Sequence, residues 1–128
     1  MGNGRESKTT KYHNKRTEYK GITYASQHEA SVAMQLDFMF AAGEIIDWWP
    51  HPKLEFGILN ERHVYTFDFG VRYPDEHIEF WEAKGKWAAQ DLWRLKICRN
   101  YYIQLGNPLR IRIIYMDKPA EVINDNPR

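Results

Sequence analysis

The chain has 128 residues, 43% of them hydrophobic and 15% aromatic, which suits one compact domain with a sizeable core. No apolar run approaches the roughly 20 residues of a membrane span, and the polar, basic opening MGNGRESKTTKYHNKR lacks the apolar segment of a secretory signal. The single cysteine, Cys98, excludes an internal disulfide and a Cys-based zinc site; a reducing cytoplasmic setting, with no membrane partner, is the expectation.

The net charge of +1 is unevenly spread. Residues 1–20 carry six Lys/Arg against two acids, residues 37–82 carry ten acids against Lys53, Arg62 and Arg72, and residues 84–112 carry seven Lys/Arg against Asp91 alone. Two basic blocks around an acidic one suit a phosphate-binding rim about a metal-binding floor, and equally a set of solvated surfaces with local bias.

Residues 1–10 hold nothing to bury and read as a disordered arm. TEYKGITY (17–24) predicts a hairpin turning at Lys20-Gly21. Ser26 and Glu29 have capping-box spacing for a helix over about 27–42, which Gly43 stops. A strand starts near Ile45–Trp49; Pro50 and Pro52 mark an edge or a bend. Residues 53–59 continue extended, with a turn at Asn60-Glu61-Arg62. HVYTFDFGVRY (63–73) predicts one strand, with Tyr65, Phe67, Phe69 and Val71 on one face and Val64, Thr66, Asp68 and Gly70 on the other. After a turn at 74–77, IEFWEAK (78–84) is the next strand, with Ile78, Phe80, Glu82 and Lys84 on a shared face. A second helix over about 89–105 carries Leu92, Leu95, Cys98, Tyr102 and Leu105 as its apolar stripe, and Gly106 ends it. LRIRIIYM (109–116) is a last strand, and a tail follows from Pro119. The order predicts a single α/β domain with a mixed sheet flanked by helices.

The chemistry gathers in two neighbouring strands. Asp68 lies on one, Glu82-Ala83-Lys84 on the next, and the short turn between them calls for antiparallel pairing. Glu82 and Lys84 share a side. A register that brings Asp68 to that side converges two carboxylates and one amine. The carboxylates are hard oxygen ligands of the kind Mg²⁺ takes, with Mn²⁺ as a substitute. Lys84 is placed to orient or deprotonate a water, or to stabilise transition-state charge.

Asp68…Glu82-Ala83-Lys84 resembles the Asp…(Asp/Glu)-x-Lys signature of the PD-(D/E)XK nuclease superfamily. Phe67 stands where the superfamily's name has proline. Residues 11–30, AGEI (42–45), PKLEF (52–56), FDF (67–69), EAKG (82–85) and LWRLK (92–96) resemble an uncharacterised phage family assigned to that superfamily, so that the likeness spans about 11–100. Relatives in the superfamily include phage endonuclease I and the archaeal Holliday junction resolvases. The resemblance implies a restriction-endonuclease-like domain over 11–118 and an Mg²⁺-dependent endonuclease acting as a homodimer on branched DNA. It makes Asp68, Glu82 and Lys84 catalytic, with Asp68 and Glu82 on the metal. Glu29, on the first helix, matches the acid that often completes the set.

Each residue has a plainer reading. Glu29 also fits as the second half of the capping box, bonding back to Ser26. Lys84-Gly85-Lys86 also fits a solvated strand exit. Lys11, Lys15, Arg16, Lys86, Arg94, Lys96 and Arg99 are the candidate DNA contacts. Trp81 reads as core, and Trp87 as core or dimer packing ahead of base stacking. Of Trp48 and Trp49 at most one faces inward, which leaves the other for a partner subunit to cover. Cys98 reads as core and the histidines as surface or turn residues. Competing functions are a restriction-like or repair nuclease and a non-catalytic DNA-binding module that keeps the fold.

Overall fold

The computed structural model describes residues 15–124. Lys11 and the arm over 1–10 lie outside them. Two short strands, β1 (Thr17–Tyr19) and β2 (Ile22–Tyr24), form the expected hairpin. Lys20 and Gly21 both take positive φ, as a two-residue turn that matches strand twist requires. Helix α1 (Gln27–Ala41) follows, and the Ser26 hydroxyl caps it by accepting from the Glu29 amide at 3.1 Å. Its exit is a Schellman motif on Gly43, whose amide bonds Phe40 while Glu44 bonds Met39.

The next four strands are β3 (Asp47–Pro50), β4 (Lys53–Ile58), β5 (Glu61–Thr66) and β6 (Phe69–Arg72). Strand β3 pairs antiparallel with β6, and β4 with β5. The two pairings keep one register: Pro50 faces Phe69 and Lys53 faces Thr66, with two residues on each side between them. They are therefore one long hairpin, broken at a single kink where the His51 amide bonds the Asp68 carbonyl and the Phe67 amide bonds the Pro52 carbonyl. Its tip turns at Leu59-Asn60, both at positive φ, one residue earlier than the turn placed at 60–62; Glu61 and Arg62 already belong to β5.

The kink corrects the single strand expected over 63–73. Regular alternation puts Tyr65, Phe67, Phe69 and Val71 on one face. All four are buried, but they enter two cores. Phe69 and Val71 pack with Tyr24, Ala33, Leu36 and Trp81 on the α1 side. Tyr65 and Phe67 pack with Phe56, Leu95, Cys98 and Ile111 on the side of helix α2 (Ala89–Gln104). Cutting one fully buried leucine such as Leu36 to alanine removes about 2–5 kcal/mol, so each cluster is a real share of the stability.

Strand β7 (Ile78–Lys84) pairs antiparallel with β6, α2 crosses back, and β8 (Arg110–Tyr115) pairs parallel with β7. A further strand, β9 (Glu121–Asn124), then adds antiparallel to β8. The large sheet runs β3-β6-β7-β8-β9, with proline-bearing β3 at an edge as expected. β9 corrects the tail read from Pro119. Val122-Ile123 is too short an apolar run to announce a strand, but Ile123 packs against the α2-side core. Leu105, placed on the apolar stripe of the second helix, is exposed instead, because it is the C-cap and the helix has already ended.

Both tryptophans of the 48–49 pair are covered within the chain. Trp48 packs on the α1-side core and its indole donates to Asp37 at 3.0 Å. Trp49 lies over Gly70 on the neighbouring strand, so close that any side chain at position 70 would collide with its ring. Among the described residues no helix is long and apolar enough to cross a membrane.

Candidate active site

The β6–β7 register decides where the two acids fall. The β6–β7 ladder ends where Phe69 faces Trp81, and Asp68 lies one residue past it. There the Asp68 amide bonds the Trp81 carbonyl at 3.1 Å and the side chain of Glu82, through Oε1, at 3.2 Å. The two carboxylates converge at this point, with Glu82 reaching the Asp68 amide and each carboxyl acting on the other. Asp68 Oδ2 accepts from the Ala83 amide at 2.7 Å. The buried Tyr65 hydroxyl donates to Glu82 Oε2.

Around them is a cleft of about 250 Å³ lined by Val64, Tyr65, Thr66, Asp68, Glu82, Lys84, Asp91 and Arg94. Lys84 stands at its edge with its ammonium 4.7 Å from the centre of the Trp87 ring. Trp87 is thus part of the α2-side packing and the platform for Lys84. Arg94 reaches in from α2, hydrogen-bonded to the Val64 carbonyl and lying against the Tyr65 ring.

The charges in this cleft do not balance. Burial pushes Glu82 up to about 8, the charge of Asp68 adds to the push, and Tyr65 and Lys84 oppose it only in part. Burial also pushes Asp68 up, against the pull of the Ala83 amide and of Lys84. Two neighbouring carboxyls in low dielectric resist double ionisation. That donor set fits a hard divalent cation: two carboxylates that lack sufficient positive charge, open to a cleft, with room for the waters such an ion keeps. Among the described residues no group of three or more His, Cys, Asp or Glu is spaced to hold a metal. The residues that would contribute to such a site are Asp68 and Glu82.

Glu29 is buried near Asp68, whose charge helps burial to push it up. Its carboxylate, however, bonds His51 Nε2 at 3.0 Å. The capping box is therefore half used, with Ser26 capping and the glutamate turned towards the kink. Of the proposed DNA contacts, Arg94 alone joins Lys84 in the cleft lining. Lys86 is exposed just past β7, Lys96 is exposed with its ammonium over Trp93, and Arg99 is half-buried on α2. Lys15 and Arg16 are exposed ahead of β1. Arg112, counted in the second basic block, is bound to Glu79 on the other side of the sheet.

Three residues at the site escape sequence reasoning. Tyr65 reads as an ordinary core aromatic; the available signal is its hydroxyl, which needs a partner once buried. Asp91 reads as a first-turn helix acid. His51 reads as a turn residue, and the prolines on both sides announce the bend without naming its partner.

Residues 9–117 match the family model described as protein of unknown function (DUF1064). No curated protein and no solved structure matches the chain. A match over most of the length makes the chain a member of the DUF1064 family.

Proposed function

We propose that the protein is a metal-dependent DNA endonuclease of the PD-(D/E)XK type, with Asp68, Glu82 and Lys84 as its catalytic residues. The observation that supports it most is the convergence of Asp68 and Glu82 in a cleft that Lys84 and Arg94 also line. The reaction is hydrolysis: a water oxygen forms a bond to phosphorus, the phosphodiester P–O bond breaks, and the leaving oxygen takes a proton. A bound Mg²⁺ ion would polarise the phosphoryl oxygen and acidify a water. Asp68 and Glu82 hold its place, and Tyr65 fixes the orientation of Glu82. Lys84 orients the attacking water and stabilises developing charge. Arg94 offers guanidinium donors to a phosphate oxygen.

Branched DNA is the substrate we favour, following the resemblance to phage and junction-resolving nucleases. A single small domain with basic residues on Lys15, Arg16, Lys86, Arg94 and Lys96 suits phosphate contacts, which carry no direct base information. Symmetric cutting of a four-way junction calls for two such centres about a two-fold axis, so the reading includes a homodimer. The test is a gel assay of four-way junction, flap and linear duplex of matched sequence, with Mg²⁺ and with chelator. The expected result is cleavage that chelation reduces at least tenfold and that favours the junction. Equal cutting of junction and duplex promotes a general repair or restriction-like nuclease. DNA binding with no cleavage in Mg²⁺ or Mn²⁺ promotes a non-catalytic module.

A further inference from the structure

We propose that Tyr115 is a positioning residue for Lys84: it holds the Trp87 ring on which the Lys84 ammonium lies, and so ties β8 and β9 to the cleavage site. The inference rests on the nuclease reading above and adds residues outside the cleft lining.

Three observations carry it. The first is what holds Lys84. Among the described residues Lys84 makes no ion pair, although its charge acts on both Asp68 and Glu82. Its ammonium lies instead 4.7 Å from the centre of the Trp87 ring. A long lysine stem is costly to hold in one rotamer, and the face of an indole is the contact that holds it here.

The second is the loop that carries Trp87. Residues 85–88 join β7 to α2; Gly85, Lys86 and Ala88 are exposed, whereas Trp87 is half-buried. Ala88 is the N-cap of α2 and makes no side-chain hydrogen bond, so no cap fixes the entry to the helix. Trp87 packs on the α2-side core, and the seat of its ring decides where the loop stands.

The third is Tyr115. The parallel ladder of β7 and β8 pairs it with Lys84, and it packs against the same core as Trp87. Its hydroxyl lies between two partners: the Trp87 indole donates to it, and it donates to Glu121 Oε1 on β9 at 3.0 Å. An indole N–H only donates, and a phenol both accepts and donates, so one hydroxyl serves both bonds. Lys118 covers the ring, with its ammonium 4.2 Å from the centre. Tyr115 is thereby fixed from β9 and from the chain after β8, and it passes that order to Trp87 and on to Lys84.

The experiment compares wild type, Tyr115→Phe, Trp87→Leu and Trp87→Phe, each also in the Lys84→Ala background and each checked by its melting transition. Single-turnover junction cleavage is measured in Mg²⁺ and junction affinity in Ca²⁺. Lysine side-chain resonances are followed by NMR: protons of Lys84 held over an indole face shift upfield, and they are assigned by their loss in Lys84→Ala. Trp87→Leu should cleave roughly tenfold more slowly. Tyr115→Phe keeps the ring and should cleave about fivefold more slowly through loss of one hydrogen-bonding hydroxyl. Trp87→Phe keeps an aromatic face and should restore most of the rate that Trp87→Leu loses. Junction affinity should stay within about twofold of wild type throughout, because the loss is in the chemical step. The Lys84 resonance should return to the ordinary lysine position in Trp87→Leu and part of the way in Tyr115→Phe. In the Lys84→Ala background the same substitutions should cost no further rate, because they act through the side chain already removed; a purely structural role costs the same in both backgrounds. Equal losses in the two backgrounds, or a Tyr115→Phe protein with wild-type cleavage and an unmoved Lys84 resonance, overturn the inference and leave the nuclease reading standing. Wild-type protein that does not cut DNA in Mg²⁺ or Mn²⁺ overturns both.

Discussion

Two acids three residues apart on β7 are buried alike and have opposite electrostatic fates. Glu79 is 4% exposed and Glu82 is 2% exposed. Burial pushes Glu79 up, but the guanidinium of Arg112, the Tyr73 hydroxyl and the Trp81 indole all donate to it, and its carboxyl ends below the usual range. On the other face of the strand, burial and Asp68 push Glu82 to about 8, with only partial relief from Tyr65 and Lys84. A buried charge is costly unless paired. The first acid is paired when the chain folds. The second remains short of positive charge, which is what a cation would supply under the proposed function.

The largest effect that sharpens this contrast is on chemistry. Lys84→Ala removes the ammonium next to the Asp68–Glu82 pair and should reduce DNA cleavage by a factor of about 10²–10⁴, with junction affinity largely kept. Single-turnover cleavage in Mg²⁺ measures it, and near-normal rates would remove Lys84 from the mechanism.

The next effect is on stability. Glu79→Ala leaves the Arg112 guanidinium without its carboxylate and should cost about 3 kcal/mol or more, read from urea unfolding at neutral pH. An unchanged midpoint would show that the network is not a stabilising pair, and the comparison would fail on its structural side.

A smaller effect has the opposite sign. The folded-state value of Glu82 lies above its ordinary 4.5, so folding favours its protonated form. Its contribution to stability is whole below about pH 4.5 and is lost as pH rises through about 8. Glu79, with its value lowered, behaves conversely: its contribution is present above the usual carboxylate range and is lost as pH falls through the folded value. Metal-free Glu82→Gln should therefore melt higher than wild type at pH 8.5, by a few degrees, the size of about 1 kcal/mol in a domain of this length. At pH 4 the advantage should disappear. A variant that melts lower at pH 8.5 would mean that Glu82 is compensated after all.

Where this site was legible in the sequence, the reason is local. Glu82 and Lys84 are two apart on an apolar strand, and alternation alone puts them on one side. Asp68 followed conditionally, because a short turn fixes antiparallel pairing but not register. The structure brings the two acids together just past the end of the ladder, where Glu82 reaches the Asp68 amide. The two helices, their glycine stops and the proline-marked edge strand are also local signals, and they were readable. Of the kink at His51 and Asp68, the prolines announced the bend but not the residue across it. Alternation across 63–73 is unbroken in the sequence, and only the match of two pairings reveals that the hairpin changes core at one step. The Glu29–His51 bond spans 22 residues, and the covering of Trp49 depends on a glycine across the sheet. Neither leaves a mark in local spacing.

The most direct test of the central claim, that Asp68 and Glu82 form a divalent-cation site, is calorimetric titration of Mn²⁺ at pH 7 in buffers of different ionisation enthalpy. Burial and mutual repulsion push the Asp68–Glu82 pair towards a protonated form, and an incoming cation displaces protons from the ligands it takes. Wild type should bind Mn²⁺ with release of about one proton per ion, and Asp68→Ala should show neither the binding nor the release. Binding that survives unchanged in Asp68→Ala, or a wild-type protein that takes up no Mn²⁺, would contradict the account.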